Sequence, residues 1–198
     1  MPAVGVLALQ GGVAEHIHIL QKLGCIAVEI RTPDELKSIS AIILPGGEST
    51  TLISLMNRWE VTLPLRAMGE AGFPIFGTCA GAVLLSKEID EKEHEVNQNS
   101  LGLADVKSVR NYFGRQTSSF VESINVTGLS EPFKGIFIRA PLLLPLSDGV
   151  EVLGTVEDGP VLLRQSNLWL SSFHPELTQD SRIHRLFLES HGILKGNG

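Results

Sequence analysis

The first half of the chain alternates short apolar runs with amphipathic helical patterns. The apolar runs have the length of buried strands and occur at residues 3–9, 25–30, 41–44 and 73–76. Between the first two runs, apolar residues recur with helical spacing at Val13, Ile17, Leu20 and Leu23. Strands joined through helices need crossover connections, which favour a parallel sheet with helices on both faces. The first half therefore predicts an α/β fold.

Further helices are expected from capping and spacing signals in the same half. Thr32 and Glu35 form a capping-box pattern with Pro33 between them, which predicts the start of a short helix. Helical patterns also cover residues 51–57, 63–72 and 80–88. Each of these patterns lies between or directly after the apolar runs, as crossover helices do.

The second half has a different pattern. Apolar segments at residues 121–128, 135–141, 150–160 and 161–173 are separated by short turns rich in Gly, Pro, Asn and Asp. Such spacing is typical of antiparallel strands. The charged stretch 88–100 is expected to be a solvated loop, and residues 180–192 predict a closing helix with Ile183, Leu186 and Phe187 on one face.

Length and charge limit the kind of protein this is. The 198 residues are most simply one domain, 1–198, and 43% hydrophobic residues are typical of a globular fold. A net charge of −6 without a Lys/Arg-rich run argues against nucleic acid or an anionic membrane as partner. With no leader pattern or long apolar stretch near Met1, a cytoplasmic location is expected. Neither a metal site nor a cofactor is indicated by the Cys and His spacing.

Cys79 lies between two glycines, directly after an apolar run. This Gly-x-Cys-x-Gly pattern, with Gly77 and Gly81 flanking the thiol, is the cysteine counterpart of the nucleophile elbow. The turn is too sharp for bulky neighbours, and it places the sulfur at a helix N-terminus, where a thiolate is favoured. The alternative is a small buried cysteine, which is how we interpret Cys25.

A cysteine nucleophile needs a base and a group that orients the base. His174 follows an apolar run directly, and Glu176 stands two residues later. In an extended segment, residues two apart project to one side, so Glu176 can hold one ring nitrogen while the other faces Cys79. The alternative is a turn that merely contains both residues. The remaining histidines are expected to be surface or satisfied residues, at positions 16, 18, 94, 184 and 191.

An oxyanion also needs donors. The backbone amide of Ala80, directly after the nucleophile, is one candidate. A second is the amide of Gly47, because Gly46 and Gly47 follow a strand end and let the backbone approach a ligand closely. A plain tight turn would have the same sequence. The ligand-binding role is favoured because the two glycines lie at the carboxyl end of a strand, where α/β sheets bind ligands.

Taken together, three stretches resemble the class I, or triad, glutamine amidotransferases: "LPGGEST", "FGTCAGAVLLSKEI" and "SSFHPELTQD". Within that family, the sequence is similar to the glutaminase subunits of pyridoxal 5'-phosphate synthases. The stretches that carry this closer resemblance are "GVLALQGGVAEHI", "LPGGESTTL", "RNYFGRQTSSF", "GIFIRAP" and "SFHPELTQD".

The resemblance implies a flavodoxin-like three-layer sandwich, with a central mostly parallel sheet and a few antiparallel strands in the C-terminal half. It implies Cys79 as nucleophile, His174 as base and Glu176 as its orienting partner. It assigns L-glutamine binding to Gly46, Gly47, Glu48, Arg110, Ile138 and Arg139. It also places Gln10 and Gly11 in a loop near the site that responds to docking of a partner.

By the same resemblance, the chain hydrolyses L-glutamine and passes ammonia to a separate synthase subunit. That subunit makes pyridoxal 5'-phosphate from ribose 5-phosphate and glyceraldehyde 3-phosphate, and the glutaminase subunits surround a ring of synthase subunits. Three alternatives remain open on the sequence. They are a glutaminase subunit of another amidotransferase, an elbow-cysteine hydrolase or chaperone of similar fold, and a binding module that retains the pocket without the chemistry.

Overall fold

The computed structural model of the chain describes residues 2–91, 94–95, 99–113 and 119–196. Its centre is a seven-stranded sheet with the spatial order β2-β1-β3-β4-β13-β12-β11. The strands are β1 (Ala3–Leu7), β2 (Ile26–Ile30), β3 (Ala41–Leu44), β4 (Ile75–Thr78), β11 (Glu151–Val156), β12 (Gly159–Gln165) and β13 (Leu168–Ser171). The chain thus returns from its second half to add β13 beside β4.

Strand direction follows the sequence prediction. Neighbours from β2 through β1, β3 and β4 to β13 are all parallel. The pairs β13–β12 and β12–β11 are antiparallel. The expectation of a mostly parallel sheet with antiparallel strands in the C-terminal half is therefore confirmed.

Helices cover both faces of this sheet. One face carries α1 (Val13–Lys22) and α5 (Arg182–Ser190), and the other carries α2 (Ser49–Arg58), α3 (Thr62–Glu70) and α4 (Ala80–Leu85). Alternate residues of one strand serve the two cores: Ile43 packs with the first group of helices and Ile42 with the second. Both faces are buried, which explains why these strands are apolar throughout. The predicted three-layer sandwich is confirmed.

Two smaller sheets lie beside the central one. A four-stranded sheet has the order β10-β7-β5-β6, and a hairpin pairs β8 with β9. Their bounds are β5 (Ser86–Glu91), β6 (His94–Glu95), β7 (Ala104–Arg110), β8 (Ser119–Ile124), β9 (Phe133–Ile138) and β10 (Leu142–Pro145). The hairpin delivers Ile138 and Arg139 toward the carboxyl end of the central sheet, where the candidate site lies.

The expected loop over residues 88–100 was wrong for the part that forms β5 and β6. The cause is long-range pairing: β5 runs parallel to β7, and Lys87 pairs with Asp105 while Asp90 pairs with Lys107. Pairs of oppositely charged residues on neighbouring strands stabilise a sheet, so a polar stretch need not be a loop. Residues 92–93 and 96–98 of that stretch lie outside the described part of the chain.

The expected helix over residues 80–88 was also too long, because α4 ends at Leu85. Ser86 already has extended backbone, and its hydroxyl donates to the Ala82 carbonyl and bonds to Ser108 of β7. A serine hydroxyl that bonds to nearby backbone competes with helix continuation. At Thr32, the Glu35 carboxylate does accept the Thr32 amide, but the helix is only the 3-10 turn Glu35–Ser38.

Within the described ranges, the structure contains no helix of the length and apolarity that a membrane crossing requires. The helices are short: α1, α2, α3 and α5 place apolar faces against the central sheet, and every residue of α4 is buried.

A matched pair of Ile→Val variants tests the closing helix. Ile183 of α5 is fully buried, whereas Ile26 of β2 is 48% exposed. Removing one methylene from the core is expected to cost about 0.5–1.5 kcal/mol in Ile183→Val, because the vacated space is only partly refilled. Ile26→Val should change the free energy of unfolding by less than about 0.5 kcal/mol. Urea unfolding measures both, and equal effects would contradict the burial of α5.

Candidate active site

Cys79 stands at the turn between β4 and α4. Its backbone has φ 49° and ψ −105°, a conformation that residues with a side chain rarely adopt. The turn is crowded: a Cβ on Gly77 would lie 2.5 Å from the Gly81 carbonyl carbon, and one on Gly81 would lie 2.0 Å from the Leu44 oxygen. The glycines that flank the thiol are therefore required by contact with backbone. Strain of this kind concentrates at functional sites.

His174 and Glu176 follow β13, the strand next to β4. The His174 amide donates to Ile136 O at 2.8 Å, and the ring donates from Nδ1 to Glu176 Oε1 at 2.7 Å. The ring and the Cys79 side chain line the same cavity. The sequence predicted this contact from an extended backbone, but Pro175–Leu177 is a 3-10 turn. The turn brings Glu176 back under the ring, so the predicted contact forms through a different geometry.

Burial and hydrogen bonds move the pKa values of this pair in opposite directions. Burial opposes the charged ring of His174, but hydrogen bonds to Cys79 and Glu176 outweigh burial and raise the pKa of His174 to about 10. Burial also opposes the Glu176 carboxylate, yet the neighbouring rings of His16 and His174 lower its pKa to about 2. Near neutral pH, the structure thus holds an imidazolium against an ionised carboxylate.

His16 and His184 were expected to be surface or satisfied histidines, and the structure shows the second case: both are fully buried and hydrogen-bond to each other. His16 of α1 lies 2.9 Å through Nδ1 from Nε2 of His184 on α5, and its own Nε2 lies 3.5 Å from Glu176 Oε2. The sequence held a signal: with Val13, Ile17 and Leu20, position 16 completes the apolar stripe of α1. A histidine inside such a stripe is a buried residue.

Gly46 and Gly47 follow β3 and approach the site through their backbone. A Cβ on Gly46 would lie 2.4 Å from Cε1 of His174. The loop after β1 closes on the same segment: Gln10 Oε1 accepts the Glu48 amide at 3.2 Å, and a Cβ on Gly11 would lie 1.7 Å from Gly46 O. The predicted proximity of Gln10 and Gly11 to the site is therefore observed.

A cavity of about 120 Å³ opens over the Cys79 thiol. Arg110 donates from Nη2 to Glu48 Oε1 at 3.0 Å, and Arg139 Nη1 lies 3.6 Å from Glu48 Oε2. The thiol lies 3.8 Å from the Ile138 carbonyl oxygen. The cavity is lined by Gly47, Glu48, Ser49, Cys79, Ala80, Val83, Arg110, Asn111, Ile138, Arg139, Pro141 and His174.

The structure thus gathers every residue that the sequence assigned to the site. Gly46 lies behind the lining, against His174, and Glu176 lies below the His174 ring. Four lining residues had no sequence signal of their own: Ser49, Val83, Asn111 and Pro141. Across the described ranges, no three His, Cys, Asp or Glu residues are grouped as a metal ion would require.

Replacing Glu176 by glutamine tests the origin of the His174 shift. The substitution removes the carboxylate but leaves the ring buried beside Cys79, so the pKa of His174 should fall from about 10 while the contribution of Cys79 remains. Wild type should gain most stability over the variant between pH 4.5 and 6.5, and lose that gain below pH 2 and above pH 10. Ring NMR titration and urea unfolding measure these quantities. Glu151→Gln, an exposed carboxylate paired with Arg164, is the control, and an unchanged His174 titration in Glu176→Gln would contradict the assignment.

Comparison with known proteins places this geometry in a family. A model of the SNO glutamine amidotransferase family matches residues 6–192. A pyridoxal 5'-phosphate synthase subunit PdxT from Thermosipho africanus is 48% identical over 187 residues, covering 93% of this chain and 96% of that protein. One from Listeria welshimeri is 47% identical over 190 residues, covering 96% and 98%.

A solved structure described as a glutamine amidotransferase gives the same result in three dimensions. It is 48% identical, has a TM-score of 0.88, and the match covers 96% of this chain and 98% of that one. Both the family model and these relatives cover nearly the whole sequence, including Cys79, His174 and Glu176. The chain therefore belongs to the SNO glutamine amidotransferase family.

Proposed function

We propose that this chain hydrolyses L-glutamine to L-glutamate and ammonia through a cysteinyl thioester. The observation that carries the proposal is the grouping of Cys79, His174 and Glu176: Cys79 and His174 line one cavity, and His174 Nδ1 lies 2.7 Å from Glu176 Oε1. A thiol beside an oriented imidazole is the arrangement that acyl transfer requires. The thiol faces a cavity that also contains the charged groups a free amino acid would need.

The reaction proceeds in two stages. The Cys79 sulfur attacks the side-chain amide carbon of glutamine, and the imidazolium of His174 gives its proton to the departing ammonia. The product of this stage is a γ-glutamyl thioester on Cys79. Water then attacks the thioester carbonyl while His174 accepts the water proton, and glutamate leaves as the thiolate returns. Glu176 holds the ring in the tautomer that both stages use.

Charged groups in the cavity fit the α-amino and α-carboxylate groups of glutamine. Guanidinium is a good carboxylate partner, so Arg110 and Arg139 suit the α-carboxylate, and the Glu48 carboxylate suits the α-ammonium. The remaining binding residues contribute backbone: Gly46, Gly47 and Ile138. The contact of Glu48 with the two arginines keeps these three side chains at the cavity. Bound glutamine replaces part of that contact.

Backbone amides of Gly47 and Ala80 supply the oxyanion hole in this proposal. Both residues line the cavity beside the thiol. Each well-placed donor of this kind contributes roughly 3–4 kcal/mol to transition-state stabilisation. Gln10 and Gly11 of the loop after β1 contact residues 46–48, so the position of that loop affects the position of the Gly47 amide. A partner that moves the loop would therefore change the rate.

Ammonia needs a second active site, because in water it is mostly protonated and unreactive. In our proposal, the chain is one glutaminase domain over residues 1–198 and works in the cytoplasm. Its partner is a synthase subunit that makes pyridoxal 5'-phosphate from ribose 5-phosphate and glyceraldehyde 3-phosphate, with glutaminase subunits around a synthase ring. Support comes from relatives that are named pyridoxal 5'-phosphate synthase subunits.

Glutamate release from glutamine tests the proposal. The assay compares the protein alone, with a pyridoxal 5'-phosphate synthase subunit, and with synthase subunits of histidine or purine pathways as controls. We expect slow hydrolysis by the free protein and faster hydrolysis only with the first partner. Equal rates with and without that partner would refute the coupling, and no hydrolysis in any mixture would refute the glutaminase assignment.

A further inference from the structure

Two fully buried histidines lie behind the triad, and the reaction described above does not use them. His16 of α1 and His184 of α5 contact each other through Nδ1 and Nε2 at 2.9 Å. The Nε2 of His16 lies 3.3 Å from Thr78 Oγ1 and 3.5 Å from Glu176 Oε2. These contacts lead from Glu176, past the carboxyl end of β4, to helices α1 and α5.

The hydrogen-bond partners available to each ring nitrogen determine which nitrogens carry protons. Among the described residues, no atom hydrogen-bonds to Nδ1 of His184, and that nitrogen is buried. A buried N–H without an acceptor is rarer than a buried lone pair without a donor, so the His184 proton is on Nε2. His184 Nε2 then donates to His16 Nδ1, and the proton of His16 is on its Nε2.

The Nε2–H of His16 therefore faces two oxygens: it hydrogen-bonds to Thr78 Oγ1 at 3.3 Å, and Glu176 Oε2, a buried oxygen to which no described donor hydrogen-bonds, lies 3.5 Å away. An ionised carboxylate is the stronger acceptor of the two. The opposite tautomers would place a lone pair of His16 against the carboxylate and leave an orphaned N–H on His184. The repulsion at Glu176 and the missing acceptor at His184 Nδ1 therefore both favour rings protonated on Nε2.

We propose that His16 and His184 are positioning residues for the triad: His16 directs its Nε2–H toward the otherwise unpartnered Glu176 Oε2 while His174 donates to Glu176 Oε1, and His184 fixes the tautomer of His16. With an N–H group facing each oxygen, rotation of the carboxylate away from the His174 ring is disfavoured. The catalytic part of this inference rests on the proposed glutaminase function, whereas the arrangement of protons does not.

Electrostatic surroundings are consistent with two neutral rings. Burial lowers the pKa of His16, with Glu176 and Glu15 opposing that shift and His174 adding to it. Burial and the neighbouring His16 lower the pKa of His184 to about 3. The Phe76 ring also faces His184, with 5.8 Å between centroids. Neutral rings each carry one proton, so a fixed direction of donation along the series is possible.

Variants of His16 separate positioning from simple loss of packing. His16→Leu removes the donor, and we expect kcat for glutamine to fall about 10- to 100-fold, as for outer partners of metal-bound histidines, with KM changed by less than about twofold. His16→Gln can place an amide N–H near Glu176 and should recover most of the rate. His18, exposed on the same helix, gives the control His18→Leu, which should match wild type.

A double variant adds a sharper criterion. If His16 acts through Glu176, then His16→Leu causes no further loss of kcat when Glu176 is already alanine. Losses that multiply in the double variant, or no rescue by His16→Gln, would overturn the positioning role. Thermal unfolding of each variant shows whether the fold is retained.

Histidine ring NMR of the wild-type protein tests the proton arrangement without any activity measurement. The nitrogen shifts and one-bond couplings are expected to show neutral rings protonated on Nε2 for both His16 and His184. Protonation of His16 on Nδ1 would overturn the proposal, even if every variant folds poorly. Absence of glutamine hydrolysis by wild type would instead refute the proposed function, so the two failures are distinguishable.

Discussion

Cys79→Ala is expected to lower the rate of glutamine hydrolysis by about 10⁴- to 10⁶-fold, because removal of a catalytic nucleophile leaves only binding and oxyanion stabilisation. The thiol is 7% exposed, and its amide donates to Ser171 O at 2.7 Å. That backbone bond does not involve the sulfur, so the variant should fold. Steady-state glutamate release with the synthase partner present measures the loss.

Cys25 gives a matched control, since it is the only other cysteine in the chain. It is 6% exposed and packs in the apolar core, and burial raises the pKa of its thiol. Cys25→Ala should retain the wild-type rate with at most a small loss of stability. Comparable losses in the two variants, or full activity in Cys79→Ala, would show that Cys79 is not the nucleophile.

The next largest effect is expected from a methyl group at Gly46. In Gly46→Ala, the added Cβ would lie 2.4 Å from Cε1 of His174 and 2.9 Å from its Nδ1. The imidazole must shift, and displacement of a catalytic group by about 1 Å can cost about 10²-fold in rate. We expect kcat to fall about 10²- to 10³-fold, with a smaller change in stability because the ring can move toward the cavity.

Gly149→Ala is the matched control for Gly46→Ala. An added Cβ at Gly149 would meet its nearest neighbour, Ser147 Oγ, at 3.6 Å, which is an ordinary van der Waals contact. Activity and stability of that variant should match wild type. Wild-type kcat in Gly46→Ala would contradict the close approach of residue 46 to the His174 ring.

Much of the fold follows from local sequence rules. Apolar runs such as residues 41–44 coincide with β3, because strands buried on both faces have a continuous apolar pattern. The sharp turn at Cys79 could also be predicted, since the glycines on both sides indicate a backbone that tolerates no Cβ. The patterns themselves are local, although the crowding at Gly81 also involves the Leu44 oxygen of β3.

The features that sequence reasoning missed depend on distant partners. β5 forms because β7 supplies hydrogen bonds and opposite charges to a polar stretch, and neither is visible in residues 86–91 alone. Likewise, the contact of His16 with His184 joins residues 168 positions apart. The contact of His174 with Glu176 was predicted, but it forms through the 3-10 turn Pro175–Leu177 and not through extended backbone.

Detection of the γ-glutamyl thioester is the most direct test of glutamine hydrolysis through Cys79. The protein with its synthase partner is mixed with glutamine, quenched in acid within the first turnovers, and analysed by intact-protein and peptide mass spectrometry. We expect an adduct of glutamine minus ammonia on the Cys79 peptide, absent from Cys79→Ala. Hydrolysis of glutamine without an adduct at Cys79, or with the adduct on another residue, would contradict it.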